Sequence, residues 1–356
     1  MRPRPVLRIA AAALLCTGLV AGPSTAAAAE PAPLQPAATP WLWPRSGLEA
    51  VSATGPDDVW AVGYQGYQAI DYSIPGWPNG TVQILPPKAA VVRWNGSSWR
   101  TYDLPGTGGD AMLREIDARS PSDVWVLGTL HPNQRPVTYL AHWDGTRWEQ
   151  VETLTDERAP RTPAGDSTGA WFGCGNDLCR WQDGEWTIQE TGRPPDACCV
   201  EVSEISVLSD DDAWAAAHWG LLHWDGRTWS KLPGSGEHRW LRVLAVSADE
   251  VWASGIRLTS PTGSERFLVR WDGHVWHEEP PPPGDLSLIK TGDGTMWGVE
   301  RHQGGVHRLD GSSWTEVTVP KPDDGRISGG TAVPGSPALW LVGKTPNIPV
   351  VINNNH

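Results

Sequence analysis

One tryptophan-centred phrase recurs seven times along the chain. A second recurs six times, and short alternating segments punctuated by Gly, Asp and Pro lie between them. Together these predict an all-β fold, a seven-bladed β-propeller of four-stranded antiparallel blades. The first phrase reads DDVWAVG (57–63), SDVWVLG (122–128), GAWFGCG (169–175), DDAWAAA (211–217), DEVWASG (249–255), GTMWGVE (294–300) and ALWLVGK (338–344). Its tryptophans are Trp60, Trp125, Trp171, Trp214, Trp252, Trp297 and Trp340, spaced 38 to 65 residues apart. The second phrase follows each of the first six, as in VVRWNGSSW (91–99), LLHWDGRTW (221–229) and LVRWDGHVW (268–276).

Each unit holds four strands. An alternating segment such as LEAVSA (48–53) or LRVLAV (241–246) supplies the first, the tryptophan phrase the second, and the two halves of the second phrase the third and fourth. The Asn-Gly and Asp-Gly pairs stand where a tight hairpin needs residues that tolerate positive φ. No segment carries a helical period with caps. One blade cannot cover its own faces, so stacking between blades supplies the core. The recurring tryptophans suit that role as large apolar plugs. A basic residue recurs just before the Trp-Asp-Gly turn: Arg93, His142, Arg180, His223, Arg270 and Arg308. It is expected to pair with acids opening the second strand, such as Asp58, Asp123, Asp212 and Glu250.

The last unit stops at its third strand, around PVVINNN (349–355), without a fourth. The segment TPWLWPRSG (39–47) resembles the missing strand. The ring is therefore expected to close when an N-terminal strand, about residues 40–46, completes the last blade, with Trp41 or Trp43 in the place that Trp99 holds in blade 1.

The first 29 residues read as a cleavable export signal. Arg2, Arg4 and Arg8 form a positive start, an apolar run from Ile9 to Val20 is too short to span a bilayer, and small residues follow, with cleavage expected near Ala28 or Ala29. Residues 30–39 read as a Pro/Ala-rich linker and 40–356 as the propeller. No other apolar stretch reaches the ~18–20 residues of a membrane helix. The expectation is a secreted, extracellular, monomeric protein with no membrane partner. A net charge of −13 argues against nucleic acid as a partner, and 19% charged residues argue against a coiled coil.

The units resemble those of kelch and galactose-oxidase-like propellers: an apolar strand ending in Gly, then an aromatic-Asp-turn-Trp strand pair. The kelch double Gly is single here, and the turn is Trp-Asp-Gly. The DVWAVG…WDGxxW form is similar to repeats of secreted bacterial propellers. The resemblance implies the fold over residues 40–356. Galactose oxidase also needs copper held by Tyr and His and a crosslinked Tyr–Cys cofactor. The five tyrosines here match no such motif, so no catalytic residue is carried over.

Strand polarity sorts the loops. First-to-second and third-to-fourth turns are uniformly short. The long insertions, Gln65 to Lys88 above all, fall on the opposite face, where second-to-third loops and blade-to-blade crossovers lie. Variable loops on a rigid scaffold are where binding usually resides. Trp77, Trp219 and Trp240 lie outside the repeated positions and beside these loops. With Tyr67 and Tyr72 they are the candidate ligand-binding residues, since an aromatic face stacks on a sugar ring. Asp71, Asp110, Glu115, Asp196, Glu201, Glu204 and Asp285 are the acids of this face. They suit Ca²⁺ or an acid/base pair, but no DxDxDG-type loop exists, and no metal or other cofactor is expected.

Cys174, Cys179, Cys198 and Cys199 are an even set in an exported chain, which points to disulfides. The favoured pairing joins 174/179 to 198/199, pinning a crossover to a hairpin. The alternative is one bridge across the hairpin and one vicinal bridge. The functional reading is a binding or interaction module that takes carbohydrate, a cell-surface polymer or a protein ligand on the long-loop face. The alternatives are a polysaccharide hydrolase or lyase working with funnel carboxylates, and a protein-interaction scaffold.

Overall fold

A computed structural model describes residues 32–354, apart from 74–77, 79, 132–134, 155–158, 166–168, 176, 192–201, 236–237, 261–262 and 302. Seven four-stranded antiparallel sheets follow one another along the chain. Blade 1 comprises Gly47–Gly55, Asp58–Gln65, Lys88–Trp94 and Trp99–Tyr102. Blades 2 to 6 start with Ala111–Ser120, Pro160–Gly165, Val202–Ser209, His238–Ser247 and Leu286–Lys290. Blade 7 starts with Arg326–Ala332. Each blade's first strand touches that of the next, and that of blade 7 touches that of blade 1, so the first strands form a closed inner ring.

The repeated tryptophans are the wedges between blades. Trp60, with no exposed surface, sits 5.6 Å by ring centroids from both Trp143 and Trp148 of blade 2. Trp171 meets Trp224 and Trp229 of blade 4 at 4.9 and 5.2 Å, and Trp340 meets Trp94 and Trp99 of blade 1 at 5.8 Å. In these three contacts the second-strand tryptophan inserts between the two tryptophans that flank the next blade's turn, whereas Trp252 meets Leu309 and Trp314 of blade 6, and Trp297 packs among aliphatic residues of blade 7. Edge-on and tilted ring pairs of this kind add to the area they bury.

The expected basic partners fall into register. Trp60 lies directly across from Arg93, Trp125 from His142, Trp171 from Arg180, Trp214 from His223, Trp252 from Arg270 and Trp297 from Arg308. Arg93 covers the Trp60 ring at 4.8 Å while its Nε donates to Asp58 at 2.6 Å. His142 stacks on Trp125 and pairs with Asp123 at 2.8 Å, and His223 pairs with Asp212 at 3.0 Å. Blade 5 departs from the pattern: Arg270 takes Glu279 at 2.8 Å, and Glu250 is bound by Lys290 of blade 6.

The turns repeat as well. Gly96, Gly145, Gly226 and Gly273 adopt φ between 86° and 94°, which only Gly reaches without strain. The preceding carboxyl or amide oxygen closes the turn. Asp144 Oδ1 accepts from the Thr146 and Arg147 amides at 2.7 and 2.8 Å. The Thr146 hydroxyl and these two amides hold the Asp144 carboxyl down at about 2.

The last blade is closed by an N-terminal strand, but not by residues 40–46. Gln35–Pro36 pairs antiparallel with Pro349–Asn353, within the stretch read as a linker. The Ala37 amide donates to Val351 O at 2.9 Å, and the Trp99 indole donates to Ala38 O at 2.7 Å. Trp41 and Trp43 are 78% and 56% exposed and plug nothing, whereas Leu42 between them is buried. The reason is chain length. A fourth strand ends at a blade's outer edge, and the chain must then cross to the next inner strand. The crossover between Tyr102 and Ala111 shows the span required. With blade 1 starting at Gly47, residues 40–46 are the crossover, so the strand lies earlier.

Cys174 and Cys179 form a disulfide between adjacent strands of blade 3, with Cα atoms 5.8 Å apart. This replaces the favoured pairing to 198/199 and matches the hairpin half of the alternative. Facing strands already hold these two cysteines within bridging distance. Cys198 and Cys199 lie outside the described residues.

Two expectations follow. Removing residues up to 39 deletes the closing strand, its backbone bonds and the Trp99 anchor. At roughly 1 kcal/mol per hydrogen bond this costs on the order of 3 kcal/mol, read as a melting temperature lower by about 5 °C. A truncated protein that melts with the intact one would remove closure from the account. Second, Asp144 has a depressed pKa, so its stabilisation is present above about pH 4 and is lost as pH falls towards about 2. Asp144→Asn keeps the acceptor without the charge and should flatten that part of the acid-unfolding curve.

Candidate functional site

The inner ring of first strands encloses a funnel that opens on the long-loop face. Its mouth has a volume of about 610 Å³ and its deeper part about 240 Å³, the two sharing Arg114, Glu115, Thr162, Ser203, Arg242 and Arg301. Bulges at Leu113/Glu115, Arg161/Ala164, Val202/Glu204 and Trp240/Arg242 interrupt the period-2 alternation of the first strands, so adjacent residues of one strand line this space. Arg114 comes from blade 2, Arg161 from blade 3, and Arg239 and Arg242 from blade 5. Arg301 follows the second strand of blade 6.

Arg242 organises the wall. It is 3% exposed, and its Nε and Nη2 donate to the two carboxylate oxygens of Asp285 at 2.9 and 2.8 Å. Its Nη1 lies 3.9 Å from Glu204. Burial alone lowers the Arg242 pKa, but Glu204 and Asp285 outweigh it and the guanidinium stays charged. Glu204 accepts the Val243 amide at 2.9 Å, and the neighbouring Ser206 hydroxyl accepts the Ala245 amide at 3.0 Å. Blades 4, 5 and 6 are therefore tied at the funnel wall. Burial pushes the Glu204 carboxyl up, against the pull of Arg242 and the Val243 amide. Burial also raises Glu115, against Arg301 and the Thr162 amide.

Of the acids singled out from the sequence, the structure brings Glu115, Glu204 and Asp285 to the funnel. Asp110 stands apart, against Gln83 at 3.2 Å and His131 at 3.4 Å. Asp196, Glu201 and the Asp71 side chain lie outside the described residues. Among the described residues no cluster of His, Cys, Asp and Glu has the arrangement to hold a metal.

The aromatic candidates separate. Trp219 and Trp240 are each 6% exposed and packed in the core of blades 3 to 5, with the Trp240 indole donating to Ser235 O at 2.8 Å. Both serve packing and present no ring face to solvent. Trp77 lies outside the described residues. Gln65 to Lys88 carries an added hairpin, Gln68–Tyr72 with Gly80–Leu85. Tyr72 is 40% exposed on it, and Tyr67 lines a separate hollow of about 960 Å³ beside Tyr64, Pro86, Pro87 and His131.

The sequence reading missed the arginines. The signal was available: Arg114, Arg161, Arg239 and Arg242 all fall on first strands, and the inner face of those strands is the funnel wall.

No family model and no curated protein matches the sequence. Solved propellers are similar in structure. They include YCF48 bound to D1 peptide (13% identity, 91% of this chain and 96% of that one, TM-score 0.54). Virginiamycin B lyase from Staphylococcus aureus is similar too (14%, 91% and 99%, 0.59). So is the GH74 xyloglucanase from Xanthomonas campestris (12%, 87% and 52%, 0.55). At these identities the likeness shows the fold alone.

Arg242→Met should leave Glu204 and Asp285 recessed without their counter-charge, a loss of about 3–5 kcal/mol at pH 7. Unpaired carboxyls bind protons more tightly in the folded than in the unfolded state, so the deficit should shrink as pH falls to about 5. Urea unfolding at both pH values checks this. A deficit that is small or independent of pH would show that Arg242 does not neutralise them.

Proposed function

We propose that the protein is an exported binding or interaction module whose ligand seats in the funnel mouth on the long-loop face. The observation that carries this reading is the convergence of side chains from blades 2, 3, 5 and 6 on one open cavity of about 610 Å³. That volume is within the range of ligand sites. Export rests on the signal-like first 29 residues. The similar structures include a peptide binder, a lyase and a xyloglucanase by their names, which supports a ligand-binding propeller without choosing its ligand. The polysaccharide-enzyme reading is weaker. Arg242 grips both oxygens of Asp285, and Glu204 is held by Arg242 and the Val243 amide. These two acids serve as cross-blade ties.

A face-specific block tests the reading. Glycans, wall polymers and peptides are screened against the purified protein, with and without Ca²⁺. Pro136→Cys at the funnel rim and Ser97→Cys on the short-turn face are then each coupled to a bulky polymer. A saturable ligand should lose at least tenfold in affinity with the first adduct and be unchanged with the second. Equal loss, or loss only with the second, rejects the long-loop face.

A further inference from the structure

The funnel mouth is a cationic spot on an acidic chain. The net charge is −13, yet Arg114, Arg161, Arg239, Arg242 and Arg301 line this one opening, together with His218. Among the described residues, the carboxylates lining the same mouth are Glu115 and Asp285, and Asp285 is fully occupied by Arg242. Arg114, Arg239 and Arg301 are solvent-exposed, and no carboxylate of the described residues lies within ion-pair distance of any of them. Several arginines elsewhere in the fold do pair with acids: Arg93 with Asp58, Arg257 with Glu265 and Glu278, Arg270 with Glu279. Like charges brought together from three blades repel one another unless an anion joins them.

The rest of the lining narrows the ligand. Among the described residues no Trp, Tyr or Phe lines the mouth, so they offer a pyranose ring no platform to stack on. The wall alternates aliphatic groups, such as Leu127, Val202 and Leu241, with hydroxyls of Thr129, Thr138 and Ser203. That mixture suits a chain with apolar stems and backbone amides. Guanidinium forks recognise carboxylates in a bidentate, planar way. Burial also raises the Glu115 carboxyl, which marks the floor of the mouth as a place of weak screening, where a charge pair counts for more than at the open surface.

Resting on the funnel as the binding site, we propose that the ligand is an acidic peptide segment. Its carboxylates are taken by Arg114 of blade 2, Arg239 of blade 5 and Arg301 of blade 6. Arg242 is not an anchor: it is buried and neutralised, and holds the wall on which the others stand. Glu115 opposes the ligand's charge and keeps the empty mouth from being more strongly cationic.

The test uses the purified full protein and fluorescence anisotropy with three probes. These are an Asp/Glu-rich octapeptide, the same peptide with Asn and Gln at every acidic position, and tetragalacturonate. The acidic peptide should bind at least tenfold more tightly than its amide counterpart and lose affinity steeply between 50 and 500 mM salt. Arg114→Gln, Arg239→Gln and Arg301→Gln should each weaken it five- to thirtyfold while leaving the melting temperature unchanged, because all three side chains are exposed. Glu115→Gln should strengthen it. Equal binding of acidic and amide peptides, or three arginine variants that bind like the parent, overturns the proposal. Tetragalacturonate binding while the peptides do not replaces it with an acidic-carbohydrate site. The rim adduct at position 136 separates the two levels. If the acidic peptide fails but another ligand is still blocked by that adduct, the ligand class is wrong and the site stands. If no ligand is blocked there, both are wrong.

Discussion

Everything in this fold depends on a tryptophan wedge that one blade cannot use by itself. Trp60 is fully buried only because Trp143 and Trp148 of the following blade close around it, and Trp171 and Trp340 repeat the contact with Trp224, Trp229, Trp94 and Trp99. The wedge makes stability a property of neighbouring pairs. A pairwise rule needs every blade to have a successor, so the ring must close. The cost of an open end would be an exposed Trp340 and an unpaired strand edge. The short Gln35–Pro36 strand, with Ala37 and Ala38 bonded across to blades 7 and 1, meets that requirement.

The wedge also explains the charge pattern around it. A tryptophan between blades leaves one ring face towards its own third strand, and the residue directly across covers that face. Arg93 and His142 do so with a cationic or imidazole plane and are themselves steered by Asp58 and Asp123. The acid, the basic group and the indole act as one packing device, reached by an ion pair only partly exposed to solvent. His142 and His223 therefore belong to packing before chemistry.

What the sequence made legible is what recurs. Second-strand tryptophans, Asp-Gly or Asn-Gly turns and the basic residue before each turn appear six or seven times, and a position repeated in that way has one structural reason. The closing strand occurs once, in Pro/Ala-rich chain with no tryptophan to mark it, and the tryptophan-bearing crossover at 40–46 resembles a fourth strand more closely than it does. Trp219 and Trp240 stood outside the repeat for a different cause: they fill gaps between particular blades, and burial is invisible to spacing. The funnel arginines were overlooked because they come from blades far apart in sequence and share no repeat position. Only the ring brings Arg114, Arg239 and Arg301 to one mouth.

That separation of roles has a physical logic. Positions in the repeat are constrained by the wedge to side chains that fill the space between blades, as Leu309 does beside Trp252. First-strand residues facing the funnel touch no wedge and are free to carry charge. Holding Arg114, Arg239 and Arg301 there without an ion-pair partner among the described residues destabilises the free protein by mutual repulsion, and the rigid ring is what keeps them converged. Arg242 shows how the scaffold offsets part of that cost: it turns Asp285 and Glu204 into cross-blade ties and removes their charge from the ligand's view. With those acids neutralised, Glu115 is the carboxylate of the described lining left to offset the exposed guanidiniums, and the arginines that outnumber it give the mouth a sign opposite to that of the chain as a whole.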